Sequence, residues 1–259
     1  MIRVVNWGIA GSVVGAGRSG LAWLGQSRGG AVDLPSLSLA NRLVGNSELT
    51  VGIETCGGLV LTFDTPTLLA LTGAVADVQV TGGPPVGWGS PMVLPAGAFL
   101  RVGRLIEGAR LYVAVRGGLT AFADELLVGA DPLTAAAAQP AARSVRRTTL
   151  RIWPGPRLDW ADGNAWATLT SSAFAVTATS RVGLRLGGPV LHRVRHGELP
   201  SEGMVEGAIQ LPPDGQPIIM LADHPTTGGY PVIAVVGPAD VPDAAQAAVG
   251  ESLRFIAAR

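Results

Sequence analysis

The stretch FAVTATSRVGLRLGG, residues 174–188, alternates apolar with polar or small residues and is broken near its middle by a short polar turn. A period of two is typical of strands that bury one face. Eight or more short strands at regular spacing indicate a mainly β fold built on a closed or sandwiched, largely antiparallel sheet. Similar β-rich stretches bounded by turn residues recur along the chain, at 49–63, 74–82, 109–118, 149–155, 208–215, 217–223 and 231–237.

Glycine and proline keep the predicted helices short. The chain has 36 glycines and 19 prolines among its 259 residues, so few windows hold a long helical pattern. One helix is predicted in DLPSLSLANRLVG (33–45), where Asp33 is a candidate N-cap and a glycine ends the pattern. A few further peripheral helices are predicted at 65–73, 159–172 and 240–250.

A segment rich in small residues separates two halves of the sequence. TAAAAQPAARSVRR (134–147) is low in complexity, which is typical of a variable excursion. We therefore predict a boundary near residue 150, which divides the chain into 1–150 and 151–259.

Charge and hydropathy argue against two kinds of partner. The formal net charge is zero, and 47% of residues are hydrophobic, many of them alanine and valine. Basic residues are mostly scattered, so no nucleic-acid interface is predicted. No apolar run reaches the length of a membrane span and no leader-like pattern is present, so we expect a cytoplasmic protein that does not interact with membranes.

The absence of lysine excludes several mechanisms. All 19 basic residues are arginine, which forms no Schiff base and cannot carry biotin or replace the lysine of a Walker A loop. The single cysteine, Cys56, cannot form an internal disulfide. His192 and His196 are four residues apart, but no HExxH pattern accompanies them, so we predict a solvated basic loop there and no metal site.

Three polar clusters are candidate sites. In the first, Asn41 and Arg42 are suited to holding a carboxylate or an amide, or they serve only to cap and end a helix. The second cluster interrupts an apolar stretch with Glu202, Glu206, Gln210, Asp214 and Gln216. It is either an ordinary PPDG turn or an acidic pair that supplies a base beside amide-recognising glutamines.

The third cluster is DHPTTGGYP (223–231), which precedes the strand-like run VIAVV. It is either a plain turn or a polar site, because consecutive amides in a glycine turn are suited to cradling an anion. Its candidate binding residues are Thr226, Thr227, Gly228 and Gly229.

Five motifs, spread over the whole chain in this order, resemble one protein family: ANRLVGN (40–46), ETCGG (54–58), SEG (201–203), GAIQLPPDGQPI (207–218) and TTGGYP (226–231). The family is described as allophanate hydrolase subunit 2-like, or as the biotin-dependent carboxyltransferase subdomain A and B family, and it includes the C subunit of the ATP-dependent 5-oxoprolinase. The resemblance implies a cyclophilin-like β-barrel architecture in two packed parts with a few peripheral helices. Residues 1–150 would be the N-terminal part of the carboxyltransferase-like domain and 151–259 the C-terminal cyclophilin-like part.

The resemblance also implies that TTGGYP lines a cleft. Thr226, Thr227 and the amides of Gly228 and Gly229 would orient a small acid, an amide or a phosphorylated intermediate. Tyr230 or Asp223 would assist proton movement, while Asp214 and Gln216 complete the wall. The candidate catalytic residues are thus Asp214, Asp223 and Tyr230, and the other candidates bind substrate.

Three functions are compatible with the resemblance. The leading one is a subunit of an ATP-dependent 5-oxoprolinase, with ATP bound on or shared with a partner subunit. The implied partners are an allophanate hydrolase subunit 1-like protein (the 5-oxoprolinase B subunit) and the 5-oxoprolinase A subunit. The alternatives are the acceptor half of a biotin-dependent urea or amide carboxyltransferase, without covalent biotin on this chain, and a non-catalytic partner that antagonises a kinase inhibitor.

The chain departs from the family pattern where polar side chains are usual. Val14 and Gly15 replace a Gln-Asp pair, and Ser180 and Gly187 replace acidic residues. His224 and Pro225 stand in the loop that usually reads Asp-Arg-Gln-Thr-Thr-Gly-Gly-Tyr. These departures predict a reduced or altered activity.

Overall fold

The computed structural model describes residues 1–83, 86–122, 125–129, 146–195, 197 and 199–258. The chain forms two compact units: unit 1 comprises Met1–Gly17 and Asp33–Ser144, and unit 2 comprises Arg18–Val32 and Val145–Arg259. The chain therefore enters unit 2 twice. Because the first passage, residues 18–32, lies in the N-terminal half of the sequence, a single boundary near residue 150 does not divide the chain into these two units. Most of the predicted excursion, 134–145, lies outside the described residues.

The described part of unit 1 is a sheet with one helix. Its strands run in the order β2-β3-β7-β4-β1-β9-β8, and β5 pairs with both β6 and β7. Its elements are β1 (Ile2–Asn6), β2 (Ser12–Val14), α1 (Leu34–Leu43), β3 (Gly52–Thr55), β4 (Val60–Phe63), β5 (Thr67–Thr81), β6 (Pro91–Leu94), β7 (Phe99–Val115), β8 (Leu119–Phe122) and β9 (Glu125–Val128).

Helix α1 confirms the predicted helix and its cap. The Ser36 amide donates to Asp33 Oδ1 at 3.1 Å, and a proline occupies the first turn, where it costs no hydrogen bond. Leu37, Ala40 and Leu43 recur at helical spacing and are buried. The helix thus forms because a capped amphipathic segment buries one face.

The helix predicted at 65–73 is wrong, because this segment is the first half of β5. It pairs with β7 along most of its length, from Leu69 opposite Val115 to Thr81 opposite Phe99. Leu69, Ala70 and Leu71 are all fully buried, although successive side chains of a strand point to opposite faces. A strand buried on both faces reads as a continuous apolar run, which periodicity does not distinguish from a buried helix.

Unit 2 contains a closed barrel in the order β10-β17-β14-β15-β12-β11-β18, in which the β10–β18 pair is parallel and the other pairs are antiparallel. A two-stranded ribbon, β13–β16, accompanies it. The elements are β10 (Thr149–Pro154), α2 (Ala165–Ser171), β11 (Ala173–Thr179), β12 (Gly183–Gly187), β13 (Glu202–Gly203), β14 (Ala208–Gln210), β15 (Ile218–Met220), β16 (Thr227–Gly228), β17 (Val232–Val236), α3 (Val241–Ala245) and β18 (Ser252–Ala257).

The barrel confirms the mainly β prediction. The stretch 174–188 forms the β11–β12 hairpin, and its inward side chains join a core that includes Phe174, Val176, Leu184 and Leu186. The helices predicted at 159–172 and 240–250 are present in shorter form, as α2 and α3. No helix formed by the described residues is long and apolar enough to span a membrane.

Candidate functional site

The predicted catalytic residues lie at different ends of the unit 2 barrel. Asp214 lies in the turn between β14 and β15, and Asp223 follows β15, so the strand separates them. Gln210 is opposite Val232, and the Leu211 amide donates to the Pro231 carbonyl at 2.9 Å, which places Tyr230 beside the Asp214 turn. We call the end formed by residues 155–157, 187–188, 210–217 and 230–232 the Tyr230 end.

The β13–β16 ribbon adjoins the Tyr230 end and carries two of the motifs. Glu202 is opposite Gly228, Gly203 is opposite Thr227, and the Met204 amide donates to the Thr226 carbonyl at 2.9 Å. Antiparallel partners alternate between hydrogen-bonded and non-bonded pairs, so this bond puts Glu202 and Gly228 in a bonded pair. The Gly228 amide is then used by the ribbon, and Gly228 contributes space rather than a free donor.

Gly228 allows a close approach to a buried amide. Gln210 is only 4% exposed, and its Nε2 donates to the Tyr230 carbonyl at 3.2 Å. A Cβ at residue 228 would lie 2.7 Å from that Nε2 and 2.6 Å from Cε of Met204. A side chain at this position would therefore displace the Gln210 amide, the Met204 methyl group, or both.

An arginine–glutamate pair fixes the ribbon to the barrel. Arg157 forms a two-point ion pair with Glu202, with Nε 2.9 Å from Oε2 and Nη2 in contact with Oε1. The Arg157 amide also donates to the carbonyl of Val232, the first residue of β17. Bidentate pairing of this kind sets geometry as well as charge, so it orients β13 and thereby β16.

Three hydroxyl groups of the third cluster remain accessible. Thr227 and Tyr230 are exposed, Tyr230 to 44%, and Thr226 is half-buried. No described residue forms a hydrogen bond with these three hydroxyls. They are neutral groups that donate and accept, which suits an amide or a carboxylate ligand.

Asp214 and Gln216 close their turn by hydrogen bonds. Asp214 Oδ1 accepts from the Gln216 amide at 3.1 Å, and its Oδ2 accepts from Arg185 Nη2 at 3.1 Å. The Gln216 side chain pairs with both backbone groups of Gly188, at 2.9 and 3.3 Å. The predicted turn is therefore present, and the Asp214 carboxylate is half exposed beside Arg185.

Asp223 and His224 lie away from the Tyr230 end. Arg181 forms a two-point ion pair with Asp223, at 2.7 and 3.1 Å, and also donates to the Gly30 carbonyl at 2.6 Å. His224 is buried, with Nδ1 2.7 Å from the Pro225 carbonyl. Asp223 thus holds the segment 18–32, and the structure does not bring it together with Asp214 and Tyr230.

Asn41 and Arg42 belong to unit 1, where they support the loop after α1. Asn41 is fully buried, donates to the Thr50 carbonyl at 2.7 Å and accepts from Asn46 at 3.0 Å. Arg42 pairs with Glu48 at 3.0 Å. These bonds favour the capping alternative for the first cluster, and substrate binding by either residue stays a prediction.

The ETCGG motif opens on a buried polar network in unit 1. The Tyr112 hydroxyl donates to Glu54 Oε2 at 2.8 Å and accepts from the Asp33 amide at 2.8 Å. The Arg110 guanidinium is buried beside it, with Nε 3.7 Å from Glu54 Oε1. Burial, followed by the charges of Glu54 and Asp33, raises the pKa of Tyr112 well above its usual range. The network fastens the start of α1 to β3 and β7.

A family model for the carboxyltransferase domain, subdomain A and B, matches residues 24–127 and 122–257. The chain belongs to this family. It is 32% identical to the C subunit of 5-oxoprolinase from Escherichia coli (strain K12) over 283 residues, which cover 99% of this chain and 91% of that protein. It is 30% identical to the C subunit of 5-oxoprolinase from Haemophilus influenzae over 294 residues, which cover 98% and 90% of the two chains.

Two further similarities cover only part of the other protein's length. The urea amidolyase of Lachancea kluyveri is 26% identical over 291 residues, which cover 93% of this chain but 16% of that one. The crystal structure of TTHA0988 has a TM-score of 0.85 and 32% identity over 98% of this chain. This chain spans about half, 55%, of TTHA0988. The resemblance read from the five motifs is thus confirmed.

Two of the departures from the carboxyltransferase A/B pattern, Ser180 and Gly187, lie in close contact with neighbouring groups. Ser180 Oγ accepts from the amides of Val182 and Gly183, at 3.2 and 3.3 Å, and so closes the β11–β12 turn. At Gly187, a Cβ would lie 2.8 Å from Cγ2 of Thr177, so a larger residue requires that side chain to move. In the described residues, no group of three or more acidic, histidine or cysteine side chains could hold a metal ion.

The sequence analysis named the loops of the Tyr230 end as candidates, but it did not name Arg157. Its partner Glu202 stands in the quoted SEG motif, whereas Arg157 follows a strand 45 residues earlier and has no local motif. The only available signal was an arginine directly after the turn WPGP, at a predicted strand end.

Proposed function

We propose that this chain is a subunit of an ATP-dependent 5-oxoprolinase that cleaves 5-oxo-L-proline to L-glutamate together with partner subunits. The observation that carries the proposal is 32% identity to the C subunit of E. coli 5-oxoprolinase across 99% of this chain and 91% of that protein. A fold alone hosts many functions. Similarity along nearly the whole of both chains is stronger support.

The proposed substrate is a five-membered cyclic amide, which water attacks slowly. Phosphorylation of the amide oxygen by ATP would create a better electrophile, and donors placed at that oxygen would stabilise the charge that develops. The accessible hydroxyls of Thr226, Thr227 and Tyr230 would orient the amide, and Tyr230 would carry a proton. Asp214 and Gln216 would form the wall of the site, while Gly228 lets the buried Gln210 amide and the Met204 methyl group lie directly against the ribbon.

In this proposal, the Arg157–Glu202 pair has a positioning role. Each carboxylate oxygen of Glu202 already contacts a nitrogen of Arg157. With both oxygens engaged by Arg157, Glu202 is assigned no role in proton transfer. The pair would instead keep β16 in place, and thereby the three hydroxyls.

ATP is proposed to bind on, or to be shared with, a partner subunit. The chain contains no lysine, so it has no Walker A loop, and it carries no covalent biotin. The proposed partners are a 5-oxoprolinase B subunit, which is allophanate hydrolase subunit 1-like, and a 5-oxoprolinase A subunit. The cytoplasmic location predicted from the sequence is part of the same proposal.

Reconstitution tests the proposal. This chain would be co-purified with the two candidate partners, and ADP and glutamate formation would be measured with and without 5-oxoproline. We expect 5-oxoproline-dependent formation of both products only when all three chains are present. Turnover that continues without this chain would contradict the proposal.

Two other results of the same reconstitution would replace the proposal with an alternative. Turnover that requires urea or allophanate in place of 5-oxoproline would favour a urea amidolyase-like role. A stable complex without turnover on any of the three substrates would favour the non-catalytic, regulatory role.

A further inference from the structure

A hollow of about 240 Å³ lies in unit 2 beside the PPDG turn. The turn approaches the chain closely here, since the Leu191 amide donates to the Gly215 carbonyl at 3.0 Å. A Cβ at Gly215, whose φ is +73°, would lie 2.6 Å from Cγ1 of Val190. The hollow is lined by Val190, Leu191, His192, Arg193, Pro213 and Gly215.

Arg193 has a charge that the described residues do not neutralise. Its guanidinium carbon lies 5.4 Å from the centre of the Trp160 ring, which holds the side chain in place. Its one hydrogen bond to a described residue runs from Nη2 to the Gly197 carbonyl, at 3.3 Å. Its Nε is buried and has no hydrogen-bond partner among the described residues. A guanidinium without a carboxylate partner among the described residues keeps its charge available to an anionic ligand.

Two neighbouring arginines differ from Arg193 in this respect. Arg195 also lies over Trp160, at 5.9 Å, but it pairs with Asp159 at 2.7 Å. Arg185 pairs with Asp214 at 3.1 Å. Of these three cations, Arg193 is the one that lines the hollow and the one without a carboxylate partner among the described residues. His192, which is exposed, adds a second nitrogen donor to the same wall.

We propose that this hollow binds a small carboxylate through Arg193 and His192. The planar guanidinium fork matches the two oxygens of a carboxylate, and such charge-assisted bonds are stronger than neutral ones. The volume is below the roughly 300–1,000 Å³ of sites for drug-sized ligands, which suits a small acid rather than a peptide. Val190, Leu191 and Pro213 provide an apolar wall for its carbon skeleton. That this acid is 5-oxoproline or glutamate rests on the proposed function, whereas binding of a carboxylate does not.

Titration of the full-length chain, without ATP or partners, tests the proposal. The probes are 5-oxo-L-proline, L-glutamate, inorganic phosphate and 2-pyrrolidinone, which is the cyclic amide without its carboxylate. Binding is followed by calorimetry at low salt and by the NMR signals of arginine Nε–H and tryptophan indole N–H groups. We expect at least one of the two carboxylates to bind and to shift the Arg193 and Trp160 signals, and 2-pyrrolidinone to leave them unchanged.

Matched arginine variants separate a site from a general charge effect. Arg193→Gln should weaken carboxylate binding at least about tenfold, the effect of losing one charge-assisted contact. Arg195→Gln removes a charge over the same tryptophan, but Arg195 is already paired with Asp159. The affinity of this variant for the carboxylate should therefore stay within about twofold of that of the wild type. Arg193→Lys should fall between them, because it keeps the charge and loses the fork.

Four results would overturn the proposal. They are the absence of saturable carboxylate binding at millimolar concentrations, equal losses in the two glutamine variants, tighter binding of phosphate than of both acids, and equal binding of 2-pyrrolidinone. The first, third and fourth results do not depend on whether Arg193→Gln folds, because they are measured on the wild-type protein. A reconstituted enzyme without turnover would refute the proposed function and leave these titrations unaffected.

Discussion

The buried Tyr112 network gives a quantitative prediction for the stability of unit 1. Tyr112→Phe removes one hydroxyl that donates to the Glu54 carboxylate and accepts from the Asp33 amide, each at 2.8 Å. A hydrogen bond to a charged group contributes roughly 1.5–3 kcal/mol and a neutral one about 0.5–1.5 kcal/mol. The variant should therefore lose about 2–4 kcal/mol of the free energy of unfolding at pH 7.

Urea unfolding followed by tryptophan fluorescence measures this loss. With a slope of about 2 kcal/mol per molar urea, the middle of the usual range, the midpoint of the unit 1 transition should fall by roughly 1–2 M. The control is Tyr230→Phe. Tyr230 is the only other tyrosine in the sequence, it is exposed, and its hydroxyl has no hydrogen bond with a described residue. A Tyr112→Phe midpoint that matches the control would refute the view that the hydroxyl holds α1 to the sheet.

The raised pKa of Tyr112 adds a dependence on pH. Burial and the nearby carboxylates raise it above the value of about 10 for an unfolded tyrosine. Because the folded state holds this proton more tightly, the contribution is fully present below pH 10 and is lost as the pH rises further. Above pH 10, the stability gap between wild type and Tyr112→Phe should narrow by up to about 1.4 kcal/mol per pH unit. A gap that stays constant up to pH 11.5 would contradict the assignment.

Two further predictions concern ion pairs of unit 2. Arg151 donates two side-chain hydrogen bonds to Asp240 and lowers the pKa of its carboxyl group. Asp240→Asn should therefore lower the thermal unfolding temperature of unit 2 at pH 7. The difference in unfolding temperature between the variant and wild type should shrink as the pH falls below about 4, where the wild-type carboxylate becomes protonated. A difference that grows towards low pH would contradict this. Asp223→Asn should speed amide hydrogen exchange in residues 28–31 by about fivefold. The reason is that Arg181 joins Asp223 to the Gly30 carbonyl, and a partly exposed ion pair contributes up to about 1 kcal/mol. Unchanged exchange, measured by mass spectrometry, would mean that the ion pair does not hold this segment.

The local patterns of the sequence predicted the barrel strands well. The β11–β12 hairpin has alternating residues around a polar turn, and α1 has a capping aspartate, so short-range chemistry determines both. The segment 65–73 was predicted as a helix because its leucines are buried on both faces of β5, a property that depends on β7. The short strands β2 and β8 carry too few residues to show a period.

The site was predictable as a set of loops but not as an arrangement. Composition placed Thr226, Thr227 and Tyr230 on a turn before a strand. They do precede β17 and have accessible hydroxyls, although Thr227 is itself part of strand β16. Asp214 precedes β15 and Asp223 follows it, so the two carboxylates lie at opposite ends of that strand. The identities of the polar residues alone do not reveal this separation. Likewise, the contact of Gly228 with Gln210 and the pairing of Arg157 with Glu202 join residues that are distant in sequence and depend on barrel closure.

The central claim, that the β13–β16 ribbon with Thr226 and Thr227 is part of the functional site, is tested most directly by glutamate formation in the reconstituted complex. Gly228→Ala places a methyl group 2.7 Å from Gln210 Nε2, whereas the same change at Gly203, opposite Thr227 in the ribbon, meets no atom within 4 Å. We predict that Gly228→Ala lowers kcat/KM at least about tenfold, the cost of a misplaced binding group, and that Gly203→Ala stays within about twofold of wild type. Equal activity of the two variants, with both complexes assembled, would contradict the account.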